Sequence, residues 1–222
     1  AIFLFIYAAA FSFAYTTLDT AIGALVLFGS VQLTILGVSL FKGQKFKQLE
    51  WIGILLAFVG LVYLMKPSLS SSPSQAVYSI QGFVLMTMSG IAWGLYTING
   101  KSVSNPLLTT RDNFIKTIPM ISVLFVAMII YDLEAHILSL EGVILAIISG
   151  SITSGIGYAF WYAVVGLLKT TMSAALQLLV PLIAALGGVV FLKEPIDIHL
   201  IISSLLILGG VLMVIVTPNK TS

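Results

Sequence analysis

The sequence predicts an all-α integral membrane protein with eight transmembrane helices, and three observations carry that expectation. The chain is 59% hydrophobic and 8% charged, with a mean hydropathy of +1.13. Soluble domains carry about a quarter of their residues as charges. Eight apolar segments, separated by short polar stretches, can be marked along it, at 1–17, 20–41, 51–65, 81–99, 114–131, 143–168, 171–192 and 199–216. Finally, the basic residues alternate in side along these segments. With the start inside, Lys42, Lys45, Lys47, Lys101, Arg111, Lys116, Lys169 and Lys220 fall on the cytoplasmic side, leaving only Lys66 and Lys193 outside. That is the positive-inside pattern, and gaining or losing one middle helix would spoil it. Both termini are thus expected in the cytoplasm of a bacterial inner (plasma) membrane.

The first segment, AIFLFIYAAAFSFAYTT, opens at Ala1 with no initiator Met and no basic n-region, so a signal peptide is not expected. Together with the third it is short for a span of about 20 residues. Leu49 and a snorkelling Lys66 extend the third. The second segment carries Gln32 and Thr34 at mid-span, in GSVQLTILG. A Ser/Pro-rich stretch at 67–80 follows the third and is the one linker-like region. The fourth segment holds Trp93 and Tyr96 on one face, with Gly90 and Gly94 at a spacing that admits a neighbouring helix. The fifth is preceded by the polar GKSVSNPLLTTRDN. The sixth contains small residues from Gly150 to Gly155 and an aromatic group, with Tyr158 and Trp161 sharing a face and Ser154 one turn earlier. The eighth is almost wholly aliphatic. With the third, it is expected to be a peripheral support.

The seventh segment organises the rest. KTTMSAALQLLVPLIAALGGVVFLKEP, at 169–195, has no charge between Lys169 and Lys193. Pro181 cannot donate to the carbonyl of Gln177, and its ring crowds that carbonyl. A free backbone acceptor and a side-chain amide then sit at one level of one helix. In hydrocarbon, both need partners from other helices or a wet cavity. Either a half-broken helix lines a solute path, or a kinked wall bonds its neighbour.

A repeat underlies the segments. Shifting the chain by 150 aligns 18–66 with 168–216 without a gap, matching Leu18/Leu168, Ala24/Ala174, Gly37/Gly187, Phe41/Phe191, Leu55/Leu205 and Gly60/Gly210, among others. The common order of helix, turn and helix is stronger support than the identities. A period of five helices inverts the second copy, as in transporters built from inverted repeats. Residues 1–66 are then the last three helices of a first repeat and 67–80 an external linker. The complete second repeat occupies 81–217, and 218–222 form a cytoplasmic tail. Two N-terminal helices are missing from the five-plus-five plan.

These residues resemble a known family. GIAWGLYT at 90–97 and the run from Gly157 to Val214, with ALQLLVPLIAALGGVVFLKEP and LLILGGVLMV, look like the second repeat of an EamA-type permease of the drug/metabolite transporter superfamily. The resemblance implies a ten-helix inverted-repeat fold and the export or exchange of a small organic solute. In the first repeat Val31 stands where Pro181 stands in the second, and Gln44 stands for Glu194, so the first-half helix is less breakable.

The substrate-binding candidates are therefore Gln32, Thr34, Trp93, Tyr96, Ser154, Tyr158, Trp161 and Gln177, with Pro181 as the kink. The amides would meet a solute's polar end and the rings its body. Ordinary helix packing accounts for each of these residues singly. Ser12 and Tyr15 are weaker candidates, and Glu194 reads as a turn acid.

Function follows as a secondary transporter working by alternating access. The alternative is a membrane scaffold or a degenerate permease fragment that does not transport. No catalytic residue is expected: there is no HExxH, Walker motif or GxSxG, and no clear ionisable group lies mid-span. Cysteine is absent, and His136 and His199 share no metal-ligand spacing, so no metal or cofactor is expected. Scattered basic residues exclude a nucleic-acid face. The expected partners are a small-molecule solute and the lipid bilayer, with a homodimer left open.

Overall fold

A computed structural model of the chain describes residues 1–18, 20–70, 79–131, 139–192, 196 and 198–217. Among these, every regular element is helical: α1 (Ile2–Ala14), α2 (Thr20–Phe41), α3 (Gln48–Ser70), α4 (Ile80–Gly100), α5 (Pro106–Tyr131), α6 (Leu140–Ile148), a π-helical stretch (Ser149–Ile156), α7 (Gly157–Val165), α8 (Thr170–Gln177), α9 (Leu179–Leu192) and α10 (Ile198–Val216). Five stretches among the described residues are long and apolar enough to cross a membrane: Ile22–Phe41, Pro106–Ile130, Leu140–Val165, Thr170–Gly187 and Ile198–Val216. The protein is a multi-pass membrane protein. Its α4 is 21 residues long but more polar, because it carries Gln81, Thr87, Ser89, Thr97 and Asn99 among its apolar residues.

Two elements start earlier than the apolar runs suggest. Helix α3 is not short: it begins at Gln48, where Glu50 reaches back to accept the Lys47 backbone N–H at 2.8 Å. This is half of a capping box. Helix α5 begins at Pro106, eight residues before the apolar run. The Asn105 side chain accepts the Leu108 N–H at 3.0 Å, and proline at the first helical position sacrifices no bond. The end of α2 is set by Gly43, whose φ of 76° suits glycine. Gln44 N–H then bonds Ser39 O, and Gly43 N–H bonds Leu40 O, in a Schellman arrangement.

Helix α4 is the hub, packing on α1, α2 and α7. A Cβ on Gly90 would lie 2.5 Å from Ser30 Cβ, and one on Gly94 would lie 2.8 Å from Thr34 Cβ. The glycine spacing expected to admit a neighbour therefore admits α2. At the other side, α3 and α10 run antiparallel in the closest helix pair. Gly53 meets Gly210 and Val214, while Gly60 meets Leu206 and Ile207. The main core lies between them, joining Ile54, Ala57 and Leu61 to Ile207, Val211, Leu178 and Leu182.

Outward, α3 shows Leu55, Val59 and Val62, an apolar surface suited to lipid. Cysteines placed one at a time along 55–62 should resist a membrane-impermeant thiol reagent. Reaction at a helical period would put an aqueous path on α3.

Candidate functional site

The interruption expected at Pro181 falls at Leu178, between α8 and α9. Leu178 closes α8 with a tightened bond from its N–H to Ala175 O at 3.0 Å, and α9 starts at Leu179. Pro181 is buried just inside α9. The break thus leaves Gln177 at the last turn of α8, where its amide is 5% exposed. Its Nε2–H donates to Ser173 O at 3.0 Å, and its Oε1 accepts the Trp93 indole N–H at 2.5 Å. Two of the sequence candidates, 84 residues apart, are therefore bonded to each other.

Trp93 is the centre of an aromatic cluster. Its ring lies 5.5 Å from Tyr96 in a stacked arrangement, 5.0 Å from Tyr158 and 4.8 Å from Tyr7. Tyr162 meets Tyr96 edge-on at 4.7 Å, and its hydroxyl donates to Tyr96 O at 3.2 Å. That approach requires Gly100, where a Cβ would lie 2.7 Å from the Tyr162 ring. Ser154, in the π-helical stretch, stands beside the Tyr158 hydroxyl. Such stretches are frequent where a helix carries function. Trp161 packs against the Leu4, Tyr96 and Tyr162 cluster, and its indole N–H is buried without a hydrogen-bond partner.

Gln32 is placed differently. It shares a face of α2 with Phe28 and Leu36, which pack into the core of α3, α8 and α10. It is 4% exposed, and neither its Nε2 nor its Oε1 has a hydrogen-bond partner. An unpaired buried amide costs on the order of 1–3 kcal/mol, so this position asks for a ligand, a water or another conformation. Thr34 returns its hydroxyl to Ser30 O at 2.7 Å and packs its carbon atoms on Gly94. The structure brings Trp93, Tyr96, Ser154, Tyr158 and Gln177 together; Trp161 adjoins them, and Gln32 and Thr34 stand apart on α2.

Some members of the cluster were missed. Tyr7 touches Trp93, while its backbone carbonyl accepts the Ser89 hydroxyl at 3.0 Å. Phe114 and Asn113 enter from α5, Phe114 with its ring 6.0 Å from Tyr158 and Asn113 donating to the Tyr96 hydroxyl at 3.4 Å. A signal for Tyr7 existed: Phe3, Tyr7, Phe11 and Tyr15 form a row at four-residue spacing, one face of one helix. Of the positions weighed from sequence, Glu194, His136, Lys193 and Lys220 lie outside the described residues.

Comparison with known proteins agrees with this architecture. A solved crystal structure matches 97% of this chain and 75% of its own, with a TM-score of 0.75 at 18% sequence identity, a likeness of fold. An uncharacterized protein of Pseudomonas aeruginosa is 38% identical over 213 residues, 96% of this chain and 70% of that relative. A protein of Archaeoglobus fulgidus, named only as an uncharacterized transporter, is 27% identical over 181 residues, covering 80% of this chain and 61% of its own length. Residues 80–216, from the start of α4 to the end of α10, match the model of the EamA-like transporter family. With the greater part of its length inside that match, the chain belongs to the EamA-like transporter family.

Proposed function

We propose that this chain handles the solute in a secondary transporter, in which a small organic molecule binds beside Trp93 and Gln177 and two inverted halves rock around it. The observation that carries the reading is the interrupted α8–α9 rod, whose buried break at Leu178 holds Gln177 against an aromatic cluster. A broken helix at membrane depth presents backbone and side-chain polar groups that a continuous one hides. The ring faces of Trp93, Tyr96 and Tyr158 suit the body of an organic solute, cationic groups included. Its polar end would take the place of the Trp93–Gln177 hydrogen bond.

The inverted-repeat plan draws support from the α3–α10 crossing. Under the 150-residue shift Gly60 corresponds to Gly210 and Ala57 to Ile207. Gly60 meets Ile207, and Gly210 meets Ala57. The two contacts exchange places, as a two-fold axis through the crossing would require. We take the eight segments as membrane crossings on this plan, with both termini cytoplasmic. Reporter fusions after Lys66 and after Glu134 should both report the outer side, and a cytoplasmic reading at either one would break the topology.

The transport reading is tested in proteoliposomes of the full-length protein, with a panel of small organic solutes. The parent should move at least one of them faster than protein-free vesicles. Trp93→Ala, inserted normally, should slow that solute by about tenfold or more, having lost a hydrogen bond and a ring face. Transport by the variant at the parent's rate would remove the solute from this cluster.

A further inference from the structure

A second polar cleft, separate from the aromatic cluster, opens between the start of α3 and the start of α8. It encloses about 370 Å³ and is lined by Lys45, Glu50, Lys101, Lys169 and Thr171 among others. Three lysines face one glutamate, a formal excess of two positive charges. Glu50 is 6% exposed, and its oxygens are already engaged. One accepts the Lys47 N–H at 2.8 Å, and the other accepts the Thr171 hydroxyl at 2.8 Å. The carboxylate therefore ties two helix starts together. Among the described residues, none of the three lysines forms an ion pair with it.

The cations are spent on neutral groups or not at all. Lys101 donates to Val165 O at 3.3 Å, to Ser173 Oγ at 3.2 Å and to Leu168 O. Burial lowers its pKa from the ordinary lysine value, the response of an ammonium with no opposing charge. Among the described residues Lys169 donates once, to Thr217 O at 2.6 Å. Lys45 is exposed at the rim. The start of α8 adds to this field. Lys169 precedes it in an extended conformation, and no side chain caps the first turn. Thr170 and Thr171 of that turn line the cleft beside Lys169, so the positive end of the helix dipole borders it, next to the Glu50 carboxylate that Thr171 holds. This lining suits an anion with several acceptor oxygens.

We propose that this cleft binds a phosphate group, supplied either as inorganic phosphate or as the phosphodiester of an anionic phospholipid headgroup. A phosphate oxygen can accept from the α8 first turn while others meet the ammonium groups of Lys45 and Lys169, with the Lys101 charge behind them. Basic pockets at the ends of membrane helices take lipid headgroups in this way. The site is independent of the solute reading above, and its failure would leave that reading standing.

The test measures the thermal stability of the purified protein in two arms. In detergent, sodium phosphate is titrated against sodium chloride at equal ionic strength. In nanodiscs, phosphatidylcholine is compared with mixtures containing phosphatidylglycerol. Each arm is repeated with Lys45→Gln, which removes a cation that makes no hydrogen bond or ion pair among the described residues and so leaves the fold intact. A Lys101→Gln variant, if it folds, serves as the stronger second probe. A rise in Tm with phosphate beyond chloride, needing about tenfold more phosphate in Lys45→Gln, identifies the free ion. A rise with phosphatidylglycerol alone, weakened in the same variant, identifies the headgroup. No shift from either ligand, or equal shifts in parent and variants, overturns the site.

Discussion

Gly210→Leu should destabilise the protein by about 3 kcal/mol, the upper end of the usual cost of overpacking, whereas Gly209→Leu, one residue away on the same helix, should leave it folded. The difference is in what each new side chain meets. A Cβ on Gly210 would collide with Gly53 O, and would lie 2.6 Å from Ala57 N and 2.9 Å from Ala57 Cβ. Two of these are backbone atoms, and no rotamer change moves them. Helices α3 and α10 would have to separate along their whole crossing, opening the core that joins Ile54, Ala57 and Leu61 to Ile207 and Val211. Helix association in a membrane has no hydrophobic term to fall back on and depends on this close packing. A Cβ on Gly209 would meet nothing within 4 Å outside its own helix, among the described residues. There leucine gains helix propensity over glycine and faces open space. Denaturant unfolding of the two variants in mixed micelles checks the contrast. Equal stabilities would mean that the α3–α10 approach is not what holds this side of the protein.

The elements were largely legible because hydropathy reports directly on which residues a bilayer tolerates. The second apolar segment, 20–41, has the bounds that α2 takes, and the eighth begins one residue after α10 does. The errors fall where helix starts are made of polar residues. Glu50 capping Lys47 and Asn105 before Pro106 lie outside the apolar runs, so reading hydropathy alone left those turns in loops. The π-helical stretch had no comparable signal. SGSITSGI carries the small residues of a close-packing helix, yet no residue of the stretch is buried and a Cβ on Gly150 would meet nothing within 4 Å among the described residues.

The site was legible by residue type and not by pairing. Gln177 and Trp93 each stood out as polar or aromatic groups at mid-span. That one accepts the other's N–H depends on α4 and α8 meeting, which no local pattern encodes. Gln32 shows the converse. Its place on the second helix suggested a common cavity with Gln177, but the same face carries Phe28 and Leu36, which belong to the core of α3, α8 and α10. The four-residue spacing that joins these three is present in the sequence. Tyr7 is legible in the aromatic row of the first segment, where Phe3, Tyr7, Phe11 and Tyr15 share one face.

Gln177→Leu should insert and fold yet lose about tenfold or more in transport, and Pro181→Ala should slow turnover while stabilising the helix. In the first variant, leucine keeps the volume but offers no acceptor, so the half-buried Trp93 N–H loses its 2.5 Å bond. An indole N–H left unsatisfied costs on the order of 1–3 kcal/mol. If solute takes the place of this bond in the transport cycle, its polar end also loses the Gln177 amide. Apparent affinity should then fall before maximal rate does. Trp93 fluorescence supplies a control that does not depend on transport: the local change should appear there while the protein remains monodisperse. In the second variant, alanine restores an N–H that can reach the Gln177 carbonyl, closing the interruption at Leu178 into one continuous helix. A continuous rod resists the opening that alternating access asks of it, so maximal rate should fall while apparent affinity changes little. The two variants therefore divide binding from movement, Gln177→Leu acting on concentration dependence and Pro181→Ala on rate. Parent-like transport by both would reduce the α8–α9 break to a kinked wall, and a loss of rate in Gln177→Leu alone would place the solute elsewhere than beside Trp93.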